Sequence, residues 1–148
     1  MTVSAPLNPS GLSSWLDQLA ARVRPSPERR PDVPDDYENW LRAMFPSHVS
    51  APFADRHHQF WRWIWALELG VRPQASPVLI WPRGGAKSSS VELGCVAVGA
   101  RRSRQYVWYL SGTQPQADVH VGNVARLLES ASVARHYPEL GERKVGKF

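Results

Sequence analysis

The chain has a single cysteine, Cys95, so no internal disulfide can form. Without a second cysteine, no zinc-finger spacing exists either. Cys95 lies among Val91, Leu93, Val96 and Val98 and reads as a small buried residue. No apolar run approaches the ~18 residues of a membrane span. The N-terminus lacks the basic-then-apolar order of a secretory signal, so a cytosolic protein is the expectation. Negative charge is in short supply: 13 acidic against 18 basic residues give a formal +5 and a pI near 9.9. That balance excludes nothing by itself. It suits anionic partners such as nucleic acid or nucleotide phosphates, and equally a soluble domain with arginine-rich helix faces.

Apolar residues are not scarce. They make up 43% of the 148 residues and include seven tryptophans, enough for a packed core. Length favours one domain or part of one. Met1 to Ser10 reads as a loose tail. Ser10 to Arg24 carries Leu12, Trp15, Leu16, Leu19 and Val23 at helical spacing, with Ser13 as an alternative cap. Four prolines between Pro25 and Pro34 indicate an extended linker. A second helix is expected over Asp35 to Phe45, with Tyr37, Trp40, Leu41 and Met44 inward. Asp35 and Asp36 fall in its first turn, where the helix dipole favours negative charge without any metal.

A third helix is expected from a cap at Asp55 to about Leu69, stopped by Gly70, with Phe60, Trp61, Ile64, Trp65 and Leu67 on its apolar face. His57 and His58 are adjacent and point about 100° apart on a helix, which suits them poorly to chelating one metal. Val78 to Trp81 reads as a short buried strand, followed by a Gly-rich loop and a helix from Lys87 to about Gly99. Arg101 to Gln105 is a basic turn. Tyr106 to Leu110 reads as a second strand, β-branched and aromatic. A long helix from Gln114 or Pro115 to Glu129 and a short one from Ser130 to Tyr137 follow, with Pro138 as the stop. The order strand, loop, helix, strand, helix predicts an α/β fold: a parallel-sheet βαβ unit of P-loop NTPase type, incomplete and preceded by N-terminal helices.

The chemistry concentrates in Trp81-Pro82-Arg83-Gly84-Gly85-Ala86-Lys87-Ser88-Ser89. A phosphate chain needs backbone N–H groups around a concave loop, a lysine to reach the β/γ oxygens and a hydroxyl for magnesium. Gly84, Gly85 and Ala86 let the backbone approach an anion, Lys87 and Ser88 supply the side chains, and the helix N-terminus adds partial positive charge. Trp81 and Ala86 stand where the general G-x-x-x-x-G-K-[ST] pattern has glycines. A glycine turn followed by a solvated Lys-Ser is the plain alternative.

This stretch resembles the degenerate Walker A of tailed-phage large terminase subunits, many of which read Pro-Arg-Gly-x-Ala-Lys-Ser-Thr. Two further stretches are similar: Phe53 to Trp61, like the aromatic segment ahead of that loop, and Tyr109 to Ala117, like the second strand and Ser/Thr-Gln-Ala turn. The resemblance covers about Pro52 to Phe148. It divides the chain into residues 1–50, with tail, helices and linker, and 51–148, a partial P-loop ATPase domain. It implies ATP and Mg²⁺ as cofactors. Lys87 and Arg83 would act on the β/γ- and γ-phosphates, Gly84 to Ser89 would line the cradle, Ser88 would hold the metal and Gln59 would touch the base. Implied partners are double-stranded DNA, a small terminase subunit and a portal, in the cytoplasm of a bacterial host. A homo-oligomeric ring would form only with a full-length subunit.

What is missing is the acidic half of such a site. After Ser88 the acidic residues are Glu92, Asp118, Glu129, Glu139 and Glu142, and none ends an apolar strand. The expectation is therefore a front portion of the motor that binds nucleotide and hydrolyses it poorly. A basic nucleic-acid-binding module is the competing reading, resting on Arg101, Arg102, Arg104, Arg143, Lys144, Lys147 and exposed aromatics. An inactive prophage remnant is a third.

Overall fold

The computed structural model describes residues 33–73 and 75–141. The expected first helix, most of the Pro-rich linker and the basic residues Arg143, Lys144 and Lys147 lie outside them. The described residues form helices α1 (Tyr37–Met44), α2 (Asp55–Trp65), α3 (Lys87–Ala100), α4 (Gln114–Leu128), α5 (Ala131–His136) and α6 (Pro138–Gly141).

The helix termini follow local chemistry. Asp36 caps α1, its carboxylate accepting the Asn39 backbone N–H at 2.9 Å and the Asn39 side-chain amide at 2.9 Å. That assigns half of the acidic pair a structural task. Helix α2 begins at Asp55 rather than being capped by it. His57 closes the turn instead, its Nδ1 accepting the Ala54 N–H at 3.0 Å. Helix α2 ends at Trp65, short of Leu69. Pro138 ends the expected Ser130–Tyr137 helix one residue early and opens α6.

Helix α3 is the centre. Ser90, Glu92, Leu93, Gly94, Val96, Ala97, Val98 and Ala100 are all buried, so the helix shows no apolar stripe because it is covered on most sides. Helices α2 and α4 pack on it, and α5 joins α1 to α4. Gly94 allows the α2–α3 approach: a Cβ there would stand 3.2 Å from Phe60 Cζ and 3.4 Å from Ile64 Cδ1. One core cluster runs from Trp40 to Leu140. It includes Trp40, whose indole N–H donates to the Tyr137 hydroxyl at 2.8 Å.

The expected parallel sheet is absent, and the α/β P-loop architecture is corrected to a helical one. Among the described residues there is no strand. Among the described residues neither apolar segment assigned as a strand is paired with another strand. In the first, Leu79 and Trp81 face the helices, while Val78 and Ile80 are 83% and 89% exposed. In the second, Tyr106, Trp108 and Leu110 are exposed, and Tyr109 is half-buried against His120. The two-residue alternation typical of a strand is present in the first segment. A sheet, however, is made by a second backbone, and a segment's own composition cannot supply one.

Candidate phosphate-binding loop

The loop is built on α2. Trp81 packs edge-on against His57 and Phe60, at ring-centroid distances of 5.0 and 6.0 Å. The chain then turns sharply: the Gly85 N–H donates to the Pro82 carbonyl at 3.1 Å. Gly84 occupies the third position of that turn with φ +79°, where a type II turn requires a left-handed residue. Gly85 is buried, and a Cβ on it would stand 3.0 Å from the Pro82 carbonyl oxygen. Both glycines are therefore dictated by the path of the backbone.

His57 fastens the loop to α2. Its Nδ1 accepts a backbone N–H, so the neutral ring carries its proton on Nε2, which donates to the Gly85 carbonyl at 3.1 Å. Sequence reasoning weighed His57 only as a metal ligand and missed this role. The signal was its place at the third position of a helix, from which a side chain reaches back to the cap.

Helix α3 starts immediately after Ala86, which is left-handed at φ 57° and ψ 24°. An alanine in that region costs ~1–2 kcal/mol relative to right-handed backbone. Ser90 N–H makes the first helical bond, to the Ala86 carbonyl at 2.9 Å. The N–H groups of Lys87, Ser88 and Ser89 thus have no acceptor within the helix. No side chain caps this terminus, and its first turn holds no acidic residue. It carries instead Lys87, Ser88 and Ser89, all exposed, with Arg83 exposed four residues before the lysine. The set is suited to an anion: unengaged N–H donors, the positive helix end, two cationic side chains and two hydroxyls.

Gln59 is exposed on α2. Ser88 lies in the exposed first turn. Among the described residues no group of three or more His, Cys, Asp or Glu side chains gathers to hold a metal ion. Glu92, one turn further along α3, is committed elsewhere. Its Oε1 lies 2.6 Å from His120 Nδ1 and accepts the Asn123 amide at 2.8 Å. Burial together with Glu92 pushes the Cys95 thiol up to about 11, and burial raises the Tyr109 hydroxyl as well.

The basic turn after α3 is engaged internally. Arg101 stacks on Trp65 at 4.3 Å and donates to its carbonyl at 2.6 Å. Arg102 pairs with Glu139 at 3.3 Å. Arg104 donates to the carbonyls of Glu68 and Val71, the latter at 2.9 Å. Arg101 and Arg104 cap the C-terminal end of α2 and the loop beyond it, and Arg102 ties the turn to α6. They do not form the open basic patch that a nucleic-acid module would present.

No helix among the described residues is long and apolar enough to cross a membrane. Neither a protein-family model, nor a curated protein, nor a solved structure matches this chain.

Proposed function

We propose that the Trp81–Ser89 loop binds the phosphates of ATP, and that the chain is the nucleotide-binding front portion of a DNA-packaging motor of the terminase large-subunit type. The observation that supports this is the uncapped α3 N-terminus, preceded by two left-handed residues and flanked by Arg83 and Lys87. The family reading adds the order Pro-Arg-Gly-Gly-Ala-Lys-Ser, in which Ala86 and Arg83 are expected features. It rests on the loop, since the sheet that ordinarily carries such a loop is not found among the described residues.

In this reading the N–H groups of Lys87 to Ser89 hold the β-phosphate, and the Lys87 ammonium neutralises charge between β and γ. Arg83 reaches the γ-phosphate, and the Ser88 hydroxyl faces the magnesium that accompanies ATP. Among the described residues no acidic side chain stands in the loop or the first turn of α3 to orient a water, so binding without efficient turnover is expected. Double-stranded DNA, a small subunit and a portal are the proposed partners, in a bacterial cytoplasm.

The test is calorimetric titration of the whole chain with a non-hydrolysable ATP analogue and Mg²⁺. Saturable binding that falls at least about tenfold in Lys87→Ala is expected, as for loss of a charge-assisted contact of ~1.5–3 kcal/mol. Equal binding by the two proteins would overturn the assignment. Robust Mg²⁺-dependent hydrolysis abolished by Lys87→Ala would instead overturn the claim of poor turnover.

A further inference from the structure

A cavity of about 550 Å³ is lined by Ser89 and Glu92 of α3 and by residues of α1, α4 and α5, sharing only Ser89 with the loop. Its volume lies within the range of ~300–1,000 Å³ usual for small-molecule sites. Met44, Phe45 and Leu127 give it an apolar floor, and its walls are polar.

Two walls carry opposite demands. Glu92 is 8% exposed and lines the cavity. Both of its partners, His120 and Asn123, bond to Oε1, so Oε2 has no hydrogen bond among the described residues. An ionised carboxylate only accepts, so a molecule placed there must bring hydroxyl or amine donors. Arg126 lines the same cavity from an exposed position on α4; one of its N–H groups donates to Asn123 Oδ1, and the remaining donors of its guanidinium suit an anionic acceptor. A purely anionic ligand would be repelled by Glu92, and a purely cationic one by Arg126.

The serines narrow the choice. Ser47, Ser89, Ser130 and Ser132 line the walls. The Ser130 hydroxyl oxygen is buried and has no hydrogen-bond partner among the described residues. Leaving such a group unpaired costs ~1–3 kcal/mol, and an occupant of the cavity could relieve it only after the hydroxyl rotates out toward that space. Hydroxyls that both donate and accept match a polyhydroxylated chain better than an aliphatic one.

We propose that this cavity, between the end of α1 and helices α3, α4 and α5, binds a small phosphorylated polyol of the sugar-phosphate class. Its hydroxyls lie on Glu92 and the serines, and its phosphate on Arg126. The proposal is independent of the nucleotide reading of the loop.

The probe is ribose 5-phosphate, titrated into the ¹⁵N-labelled chain and followed by amide chemical shifts, with ribose and inorganic phosphate as separate arms. Saturable shifts confined to Glu92, Asn123, Arg126 and Ser130 to Ser132 are expected, with both fragments much weaker than the whole. Arg126 is exposed, so Arg126→Ala leaves the fold intact, and it should weaken binding about tenfold or more. Glu92→Gln, whose amide keeps the size of the carboxylate, should weaken the ribose arm and leave the phosphate arm unchanged. The proposal is overturned by any of three results: no saturation up to about 10 mM, a concentration beyond useful affinity; shifts centred on Arg83 to Ser88; or an Arg126→Ala protein that binds like the parent.

Discussion

Replacing Gly94 by alanine tests the packing that holds the candidate loop in place. The added Cβ would lie 3.2 Å from Phe60 Cζ and 3.4 Å from Ile64 Cδ1. Carbon atoms prefer ~3.5–4.0 Å, so the Phe60 contact is too short by a few tenths of an ångström. Phe60 cannot easily yield, because its ring stands edge-on between Trp61 at 5.3 Å and Trp81 at 6.0 Å. Overpacking of this kind costs ~1–3 kcal/mol. Alanine returns ~1 kcal/mol through its better helix propensity. The expected net result is a loss of about 1 kcal/mol, read as a lower urea midpoint at unchanged slope.

The sharper assay is a double-mutant cycle with Phe60→Leu, which removes the Cζ atom that the new Cβ meets. In that background Gly94→Ala should cost nothing or stabilise slightly, giving a coupling of ~1 kcal/mol. Equal effects of Gly94→Ala in both backgrounds would refute the steric argument. So would stabilisation by Gly94→Ala in the parent, which would mean that helix propensity alone governs the site. A shift of Phe60 would also reach Trp81 and hence the loop, so Gly94→Ala should weaken ATP-analogue binding modestly in the same samples.

Four other outcomes are expected. Ala86→Gly should raise stability by about 0.5 kcal/mol, the relief of left-handed strain less the added freedom of the unfolded chain. Ala97→Gly, fully buried and right-handed in the same helix, should lower stability by at least ~1 kcal/mol in the same thermal melts. The Asn39 backbone and side-chain N–H groups hold the Asp36 carboxyl below its ordinary 3.8. A depressed folded value makes the cap's contribution full above pH 3.8 and lost as pH falls through the folded value. Asp36→Ala should therefore cost ~0.5–1 kcal/mol at neutral pH and converge with the parent in acid titrations. The Cys95 thiol, pushed up to about 11, should alkylate with iodoacetamide at pH 8 roughly 100-fold more slowly in the folded chain than in urea, in proportion to its thiolate fraction.

The amino-acid sequence carried much of what depends on neighbours along the chain, although the His57 cap and the early end of α2 were missed. Helical spacing placed α1, α3 and α4 to within about two residues, because periodicity and caps are local signals. It also located the loop, since the glycines, the lysine and the serines that build it are consecutive from Gly84 to Ser89. The left-handed backbone at Gly84 and Ala86 and the uncapped start of α3 agree with that local reading.

Tertiary structure decided the rest. Val78–Trp81 and Tyr106–Leu110 have the composition of strands, but pairing requires a second backbone, and none of the described residues provides it. His57 and Gly85 are 28 positions apart and meet only because α2 packs beneath the loop. Glu92 joins His120 and Asn123 only because α4 lies against α3. The arginines of the 101–104 turn read as an open basic patch until folding brings the end of α2 within reach of Arg101 and Arg104 and Glu139 within reach of Arg102. In each case the deciding contact spans a distance along the chain over which periodicity and motif spacing carry no information. Which polar groups are engaged, and which remain open to a ligand, is settled only when the helices pack.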